Sequence, residues 1–386
     1  MAIAFPFIDV RIDTSALLPA VQRAPGVLAV VGAAASASAS INTPTVISSI
    51  DDINANFRHG SNETDLSRAL KTALLQDPGP SKIYGVRIGT ASNPWTPALA
   101  SLEGADDVTF VALAGPVVRS GTGTPLAPLT ALLNHCEQQS AAGNKRLGVA
   151  HIDPTIAKSD SYAADIIDLA RPLKSTTGRM VMIAARGAES EPGVTAHVAA
   201  AAAAAIAGLP VASSIVLKKL RGLTMPLTSQ FSPREITALA TDGIIPVIDP
   251  ALVAGESLHF AEGTTYTTDA TLRYVDLVRL LDDVEFRLKA GLIGMIGDAR
   301  ISRGGLADVI RRAEGILGVV QLEGGITGYA VSIPVYDALA LPEAARSTAQ
   351  VQMINTARSE RLVDMVVSIV IGPAIHRLRI ALQPRF

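Results

Sequence analysis

Cys136 stands beside His135, and a thiol next to an imidazole is the first pair in this chain that could make a nucleophile. Adjacent residues on a helix point about 100° apart, so "LLNHCEQQ" makes a poor dyad and predicts an inert thiol. Cys136 is the single cysteine of 386 residues, which excludes an internal disulfide framework and a cysteine metal site. His59, His135, His151, His197, His259 and His376 are scattered, with no two at metal-ligand spacing. The acidic pairs Asp51-Asp52, Asp106-Asp107 and Asp282-Asp283 fall at element starts or on a polar helix face, where solvated caps explain them better than acid–base work. The chain carries no GxxxxGK[ST] loop, no HExxH and no GxSxG. Gly121 and Gly123 lie in a loop with no strand feeding it, and Gly291, Gly294 and Gly297 have helix-end spacing. The expectation is a non-enzymatic, structural protein with no catalytic residue, cofactor or metal, since function must be argued from a site.

The length allows two or three domains. Hydrophobic residues make up 48 % but aromatics only 4 %, which predicts tight, alanine-rich helix–sheet packing. A net charge of −2 gives no bulk attraction to nucleic acid or to an anionic membrane. The first residues lack a basic start, and Pro6 and Asp9 interrupt the apolar run, so no signal peptide is expected. "VTAHVAAAAAAAIAGLP" falls short of the ~20 strongly apolar residues of a membrane span and reads as a soluble helix whose alanines allow close approach to a neighbour.

From Gly26 strand and helix patterns alternate. The strands are "GVLAVVGAA", "SKIYGVRIG", "DDVTFVALAG", "KRLGVAHID", "RMVMIAARG" and "GIIPVID". Between them lie a short strand with a helix over about 49–57, the helices "ETDLSRALKTALLQDPG", "PLTALLNHCEQQSAAG" and "YAADIIDLARPL", the alanine helix, and "SPREITALATDG" with Ser232 as N-cap before Pro233. This rhythm predicts an α/β fold with a mostly parallel sheet covered by helices. Beyond residue 252 the pattern predicts a smaller α+β domain. One helix covers about 271–290 with Leu277, Leu281, Val284 and Leu288 on its stripe. A second covers about 306–320, burying Leu306, Val309, Ile310, Ala313 and Leu317, and strands continue to the end.

Both ends alternate. In "FIDVRID", Ile8, Val10 and Ile12 face one way and Asp9, Arg11 and Asp13 the other; in "IHRLRIALQPRF", Leu378, Ile380 and Leu382 oppose Ile375, Arg377 and Arg379. Gly372-Pro373 separates the last strand from the one before it. Two readings stay open from pattern alone: both strands lie on their own sheet, or both leave the subunit and pair with neighbours.

Nearly the whole chain resembles contractile tail sheath proteins. "PGVLAVVGAAASASASINTPTVISSIDDINANFRHG", continued through the next helix to "KIYGVRIG", is similar to their N-terminal part through Asn42, Pro44, Ser48, Phe57, Tyr84, Val86 and Arg87. "LRGLTMPLTSQFSPREITALATDGIIPVID" resembles a further sheath segment. Arg273, Tyr274, Val275, Val278, Arg279, Leu280 and Leu281 match the family's "w-R-Y-v-n-v-R-R-L" helix, and "VDMVVSIVIGPAIHRLRIALQ" its terminal strands. "GESLHFAEGTTYTTD" departs from the "W-G-A-R-T-L" that many members carry.

The resemblance implies a subunit that stacks in hexameric rings around an inner tail tube and contracts to drive the tube through a target envelope. It implies linking arms at 1–18 (Ile8, Val10, Arg11, Ile12) and 373–386 (Arg377, Leu378, Arg379, Ile380, Leu382), an outer domain at 19–252 and a tube-facing domain at 253–372. Arg303, Arg311 and Arg312 are the candidate tube-facing residues. The implied partners are further copies, the tube protein, a baseplate and a tail terminator, in a phage tail or tail-like particle assembled in the bacterial cytoplasm. The alternatives are an α/β enzyme without a recognisable motif and a non-contractile shell or tube protein.

Overall fold

A computed structural model describes residues 26–120, 126–253, 255 and 257–379. The arm residues Ile8, Val10, Arg11, Ile12, Ile380 and Leu382 therefore lie outside the described residues.

The strand β1 (Val27–Gly32) is buried along its whole length, as a strand covered on both faces must be. Its side chains divide between two cores: Leu28 and Val30 enter one, and Val27, Ala29 and Val31 the other. The chain continues through β2 (Thr45–Ile47), α1 (Ile50–Phe57), α2 (Asp65–Leu74), β3 (Lys82–Arg87), α3 (Trp95–Ala100), β4 (Phe110–Ala114) and α4 (Ala127–Ala141). Then come β5 (Leu147–His151), α5 (Tyr162–Ala170), β6 (Met180–Ala184), the hairpin β7 (Glu189–Glu191) with β8 (Val194–Thr195), and α6 (Val198–Gly208). After β9 (Lys219–Leu220), α7 (Pro233–Asp242), β10 (Ile244–Ile248) and β11 (Leu258–Phe260), a nine-stranded sheet is complete in the order β2-β3-β1-β4-β5-β6-β10-β11-β9.

Six central strands, β3, β1, β4, β5, β6 and β10, are parallel, and β2, β11 and β9 are antiparallel additions. The mostly parallel, helix-covered sheet expected from the strand–helix rhythm is the one formed. Local caps fit the pattern too. Ser49, Thr64 and Ser232 each close a capping box, and Gly243 at φ 95° ends α7.

Residues 198–207 of α6 are all buried. At the end of α6 backbone meets backbone: a Cβ on Gly26 would stand 1.9 Å from Ala207 O, and one on Gly208 2.1 Å from Pro78 O. Ala203→Leu, placing three extra carbons in this closed layer, should destabilise the protein by about 2–3 kcal/mol. Urea unfolding checks this, and a loss below about 0.5 kcal/mol would show spare room beside the helix.

The contacts divide the chain within α8 (Val275–Leu292). The described residues of the larger unit are 26–120, 126–253, 255, 257–285, 323–327 and 370–379; those of the smaller are 286–322 and 328–369. Residues 253–285 stay with the larger unit, past the expected boundary near 252, because Phe260, Val275 and Val278 bury in one sheet core and Tyr266 in the other. The helix expected over 271–290 starts at Val275, after a 3-10 turn over Ala270–Leu272. Its buried face also differs from the expected stripe: Leu281 is 36 % exposed, while Arg279, Asp282 and Asp283 are buried. Asp282 accepts both guanidinium nitrogens of Arg179 at 2.6 and 2.9 Å, and Arg279 donates to Leu209 O at 2.8 Å. Asp282-Asp283 is thus a buried, paired site and not a solvated face.

The smaller unit adds α9 (Arg303–Leu322), β12 (Gly328–Ser332), α10 (Pro334–Ala340), α11 (Thr348–Glu360) and β13 (Val366–Val370). The expected run of strands is interrupted by two helices. Pro334 opens α10, and Ser347 with Gln350 forms a capping box for α11. Leu306, Ile333, Val335, Ala338, Ile354 and Ala357 make its core, with Val309 and Ile310 packed against them.

Candidate intersubunit surface

The interior polar groups are the first place to look for chemistry, and the two most buried arginines are spent on structure. Arg186, 2 % exposed, donates to Glu235 at 2.6 Å, to Ser229 O at 3.1 Å and to Gln230 O at 3.0 Å. Its guanidinium carbon lies 4.3 Å from the Tyr162 ring centroid and 4.7 Å from that of Phe231. Burial works against the Glu235 charge, but the Arg186 and Ser232 hydrogen bonds bring its carboxyl down to about 2. Arg146 approaches His135 Nε2 at 2.7 Å and donates to Leu102 O at 2.7 Å. Burial and that cation push His135 down to about 4, and burial pushes the Cys136 thiol up to about 12. The adjacent His–Cys pair is an inert thiol beside a neutral imidazole, as its spacing implied.

In open parallel sheets ligands sit where the strand order reverses, here at the carboxyl ends of β1 and β4. That crevice is taken by the chain's own groups. A Cβ on Gly32 would stand 2.6 Å from Ala114 Cβ, and one on Gly115 3.4 Å from Asp65 Oδ2. His197 at the start of α6 has Nε2 4.0 Å from Asp65 Oδ1, and buried His151 ends β5. A groove of about 950 Å³ near α4 has Glu103, Arg119, Asn134, His135 and Asp168 on its walls, a lining of both signs that selects no ligand charge.

The exposed backbone is more informative. The nine-stranded sheet protects its edges: β2 has three residues, and β9 two, with Lys219 exposed. The two-stranded sheet β12–β13 does not. "GYAVS" and "VVSIV" carry neither charge nor proline, and Val366 and Val370 are 55 % and 59 % exposed. Two strands alone are marginal in water, so this sheet gains most from an added strand. The sequence signal, two uncharged β-branched runs, was visible, but their pairing with each other was not.

The described part of the last expected strand, residues 375–379, forms no strand with other described residues. Arg377 instead pairs with Glu262 at 2.7 Å, and Leu378 is 75 % exposed, with Arg379 exposed beside it. On α9, Arg303 is exposed, Arg311 is exposed and paired with Asp308, and Arg312 is turned to Gly291 O at 3.3 Å. Arg312 thus does not share the fully outward face expected for it.

No protein-family model matches the sequence, and no curated protein matches it. Solved structures do, and the fold they define is that of contractile sheath proteins. The sheath complex of an extracellular contractile injection system (PVC) in the contracted state is similar over 99 % of this chain and 98 % of that one, with a TM-score of 0.69 and 15 % identity. The contracted helical sheath of the anti-feeding prophage (AFP) is similar over 99 % of both chains, at 0.67 and 13 %. The sheath tail protein of Desulfitobacterium hafniense is similar over 85 % of this chain and 93 % of its own, at 0.60 and 10 %.

Proposed function

We propose that this chain is the structural subunit of a contractile sheath, polymerising as stacked hexameric rings around an inner tube and contracting to drive that tube through a target envelope. The observation that carries the reading is the unprotected β12–β13 sheet in a chain whose large sheet has protected edges. Residues 1–18 and 373–386 supply the added strands, with Ile8, Val10 and Ile12 packing on an adjacent subunit. The larger unit, which carries the nine-stranded sheet, is the outer domain, and the smaller one, 286–322 with 328–369, is the tube-facing one. Within it Arg303 and Arg311 meet acidic tube residues through exposed pairs, weak enough for the tube to slip free; Arg312 contributes less, its Nε being held by Gly291. Free energy stored at assembly powers the movement, without nucleotide. The particle is a phage tail or a released tail-like device assembled in the bacterial cytoplasm, with a baseplate and a terminator at its ends.

Negative-stain microscopy of the purified full chain tests this: tubes of contracted width should form without ligand. Deleting residues 1–15 should leave a folded monomer that makes no tubes. Tubes from the truncated chain would sink the linking-arm reading, and an unfolded truncated chain would return the strand to its own domain.

A second outcome concerns the acceptor. Val366→Lys with Val370→Lys places charges where natural edges carry them, at exposed positions that cost less than about 0.5 kcal/mol each. Tubes should disappear while the circular dichroism spectrum and thermal midpoint stay put; normal tubes would exclude β13 as acceptor.

A further inference from the structure

Residues 372–379 come after β13 with no backbone hydrogen bond to any described residue. Two side chains hold the segment instead. His376 Nε2 lies 2.8 Å from Ser214 Oγ, and its ring meets Tyr274 edge-on, with centroids 5.1 Å apart and planes at 84°. Arg377 donates to Glu262 Oε1 at 2.7 Å. The receiving groups are preset by the fold. Ser214 Oγ accepts the Val216 N–H at 3.2 Å, which orients the hydroxyl. Tyr274 is bridged to Thr264 in antiparallel fashion, and the Glu262 side chain is only 12 % exposed. A cavity of about 550 Å³ lies against the segment, lined in part by Leu277, Leu280, Pro373 and Ala374. The segment thus hangs on its side chains, with Ile375 and Leu378 82 % and 75 % exposed.

We propose that Ser214, Glu262 and Tyr274 form an anchor for the His376–Arg377 step, which sets the point where the C-terminal segment leaves the subunit and keeps its backbone unpaired for a strand of a second copy. The purpose rests on the sheath reading; the anchor itself rests on the contacts alone. Ordering a segment before it meets its partner removes part of the entropic cost of association. A free tether would leave that cost to be met at every joint of a polymer.

The test uses the full chain with Leu378→Cys carrying a nitroxide label; buried Cys136 does not compete for the reagent. With the anchor intact the label should report restricted motion. Glu262→Gln together with Ser214→Ala should release it, with a several-fold gain in mobility and an unchanged thermal midpoint. The swap Glu262→Arg with Arg377→Glu should restore the restriction. A label as mobile as a free tail in the unaltered background, or unmoved by the anchor substitutions, overturns the anchor. Light scattering gives the second arm: the released variant should polymerise about tenfold more slowly, and equal rates overturn the positioning role. If the unaltered chain forms no polymer at all, the sheath reading fails while the label still decides on the anchor.

Discussion

Replacing Arg186 by alanine should lower the stability of the larger unit by about 4 kcal/mol and its thermal midpoint by on the order of 10 °C. The guanidinium is 2 % exposed, and the Glu235 side chain left behind is 13 % exposed. The truncation removes the counter-ion of a carboxylate, two donors to the Ser229 and Gln230 carbonyls, and the filling between the Tyr162 and Phe231 rings. Breaking one partner of a buried pair costs more than the pair is worth, because the survivor stays desolvated. Glu235→Gln should cost less, since the side chain keeps an oxygen for the Ser232 backbone N–H it now accepts at 2.8 Å. Arg186→Lys should fall between the two, keeping charge but losing the planar fork and the ring stacking. A double-mutant cycle by urea unfolding measures the coupling. An alanine variant within about 1 kcal/mol of the parent would mean that the guanidinium is merely tolerated there.

The parts of the fold legible in the sequence are those that local pattern controls. Continuous apolar runs separated by helix patterns define β1, β4, β5 and β6, and "SPREI" spells out the Ser232 cap and Pro233 start of α7. The short antiparallel strands β9 and β11, two and three residues long, have no period to detect; β10 recruits β11, and β11 in turn β9, through tertiary pairing. The helix α11 was legible in "STAQ", a capping box of Ser347 with Gln350, but the β-prone runs on either side outweighed it.

The buried face of α8 is a different case. Hydropathy favours Leu277 and Leu281, whereas the fold buries Arg279, Asp282 and Asp283 because Arg179 and the Leu209 carbonyl wait opposite them. Partners more than 60 residues away leave no trace in a local window. The candidate surface was half legible for the same reason. The alternating termini were visible, but not the Ser214, Glu262 and Tyr274 side chains gathered at His376 and Arg377.

Acid should weaken the protein well before its carboxylates protonate. Burial, aided by Arg146, holds His135 at about 4; burial and the nearby His197, against Asp153, hold His151 at about 3. Both start from 6.5 in the unfolded chain. Below that value the unfolded state takes up protons that the folded state refuses, so stability is complete above about pH 6.5 and is lost as the pH falls. At pH 5 each histidine costs about 2 kcal/mol, or about 4 kcal/mol together, a large share of a typical folding free energy of about 5–15 kcal/mol. His197 is lowered too, chiefly by burial, with Asp65 opposing and Arg68 assisting. Glu235 acts in a lower window: held at about 2 against 4.5 unfolded, it stabilises above 4.5 and loses that contribution as the pH drops toward 2. Urea midpoints measured from pH 7 to 4 should therefore fall in the histidine range first. His135→Gln, which keeps an acceptor for Arg146, should recover about half of the loss between pH 7 and 5. Equal midpoints at pH 7 and pH 5 would mean that water reaches these rings and that the cores around α4 and β5 open more readily than their packing implies.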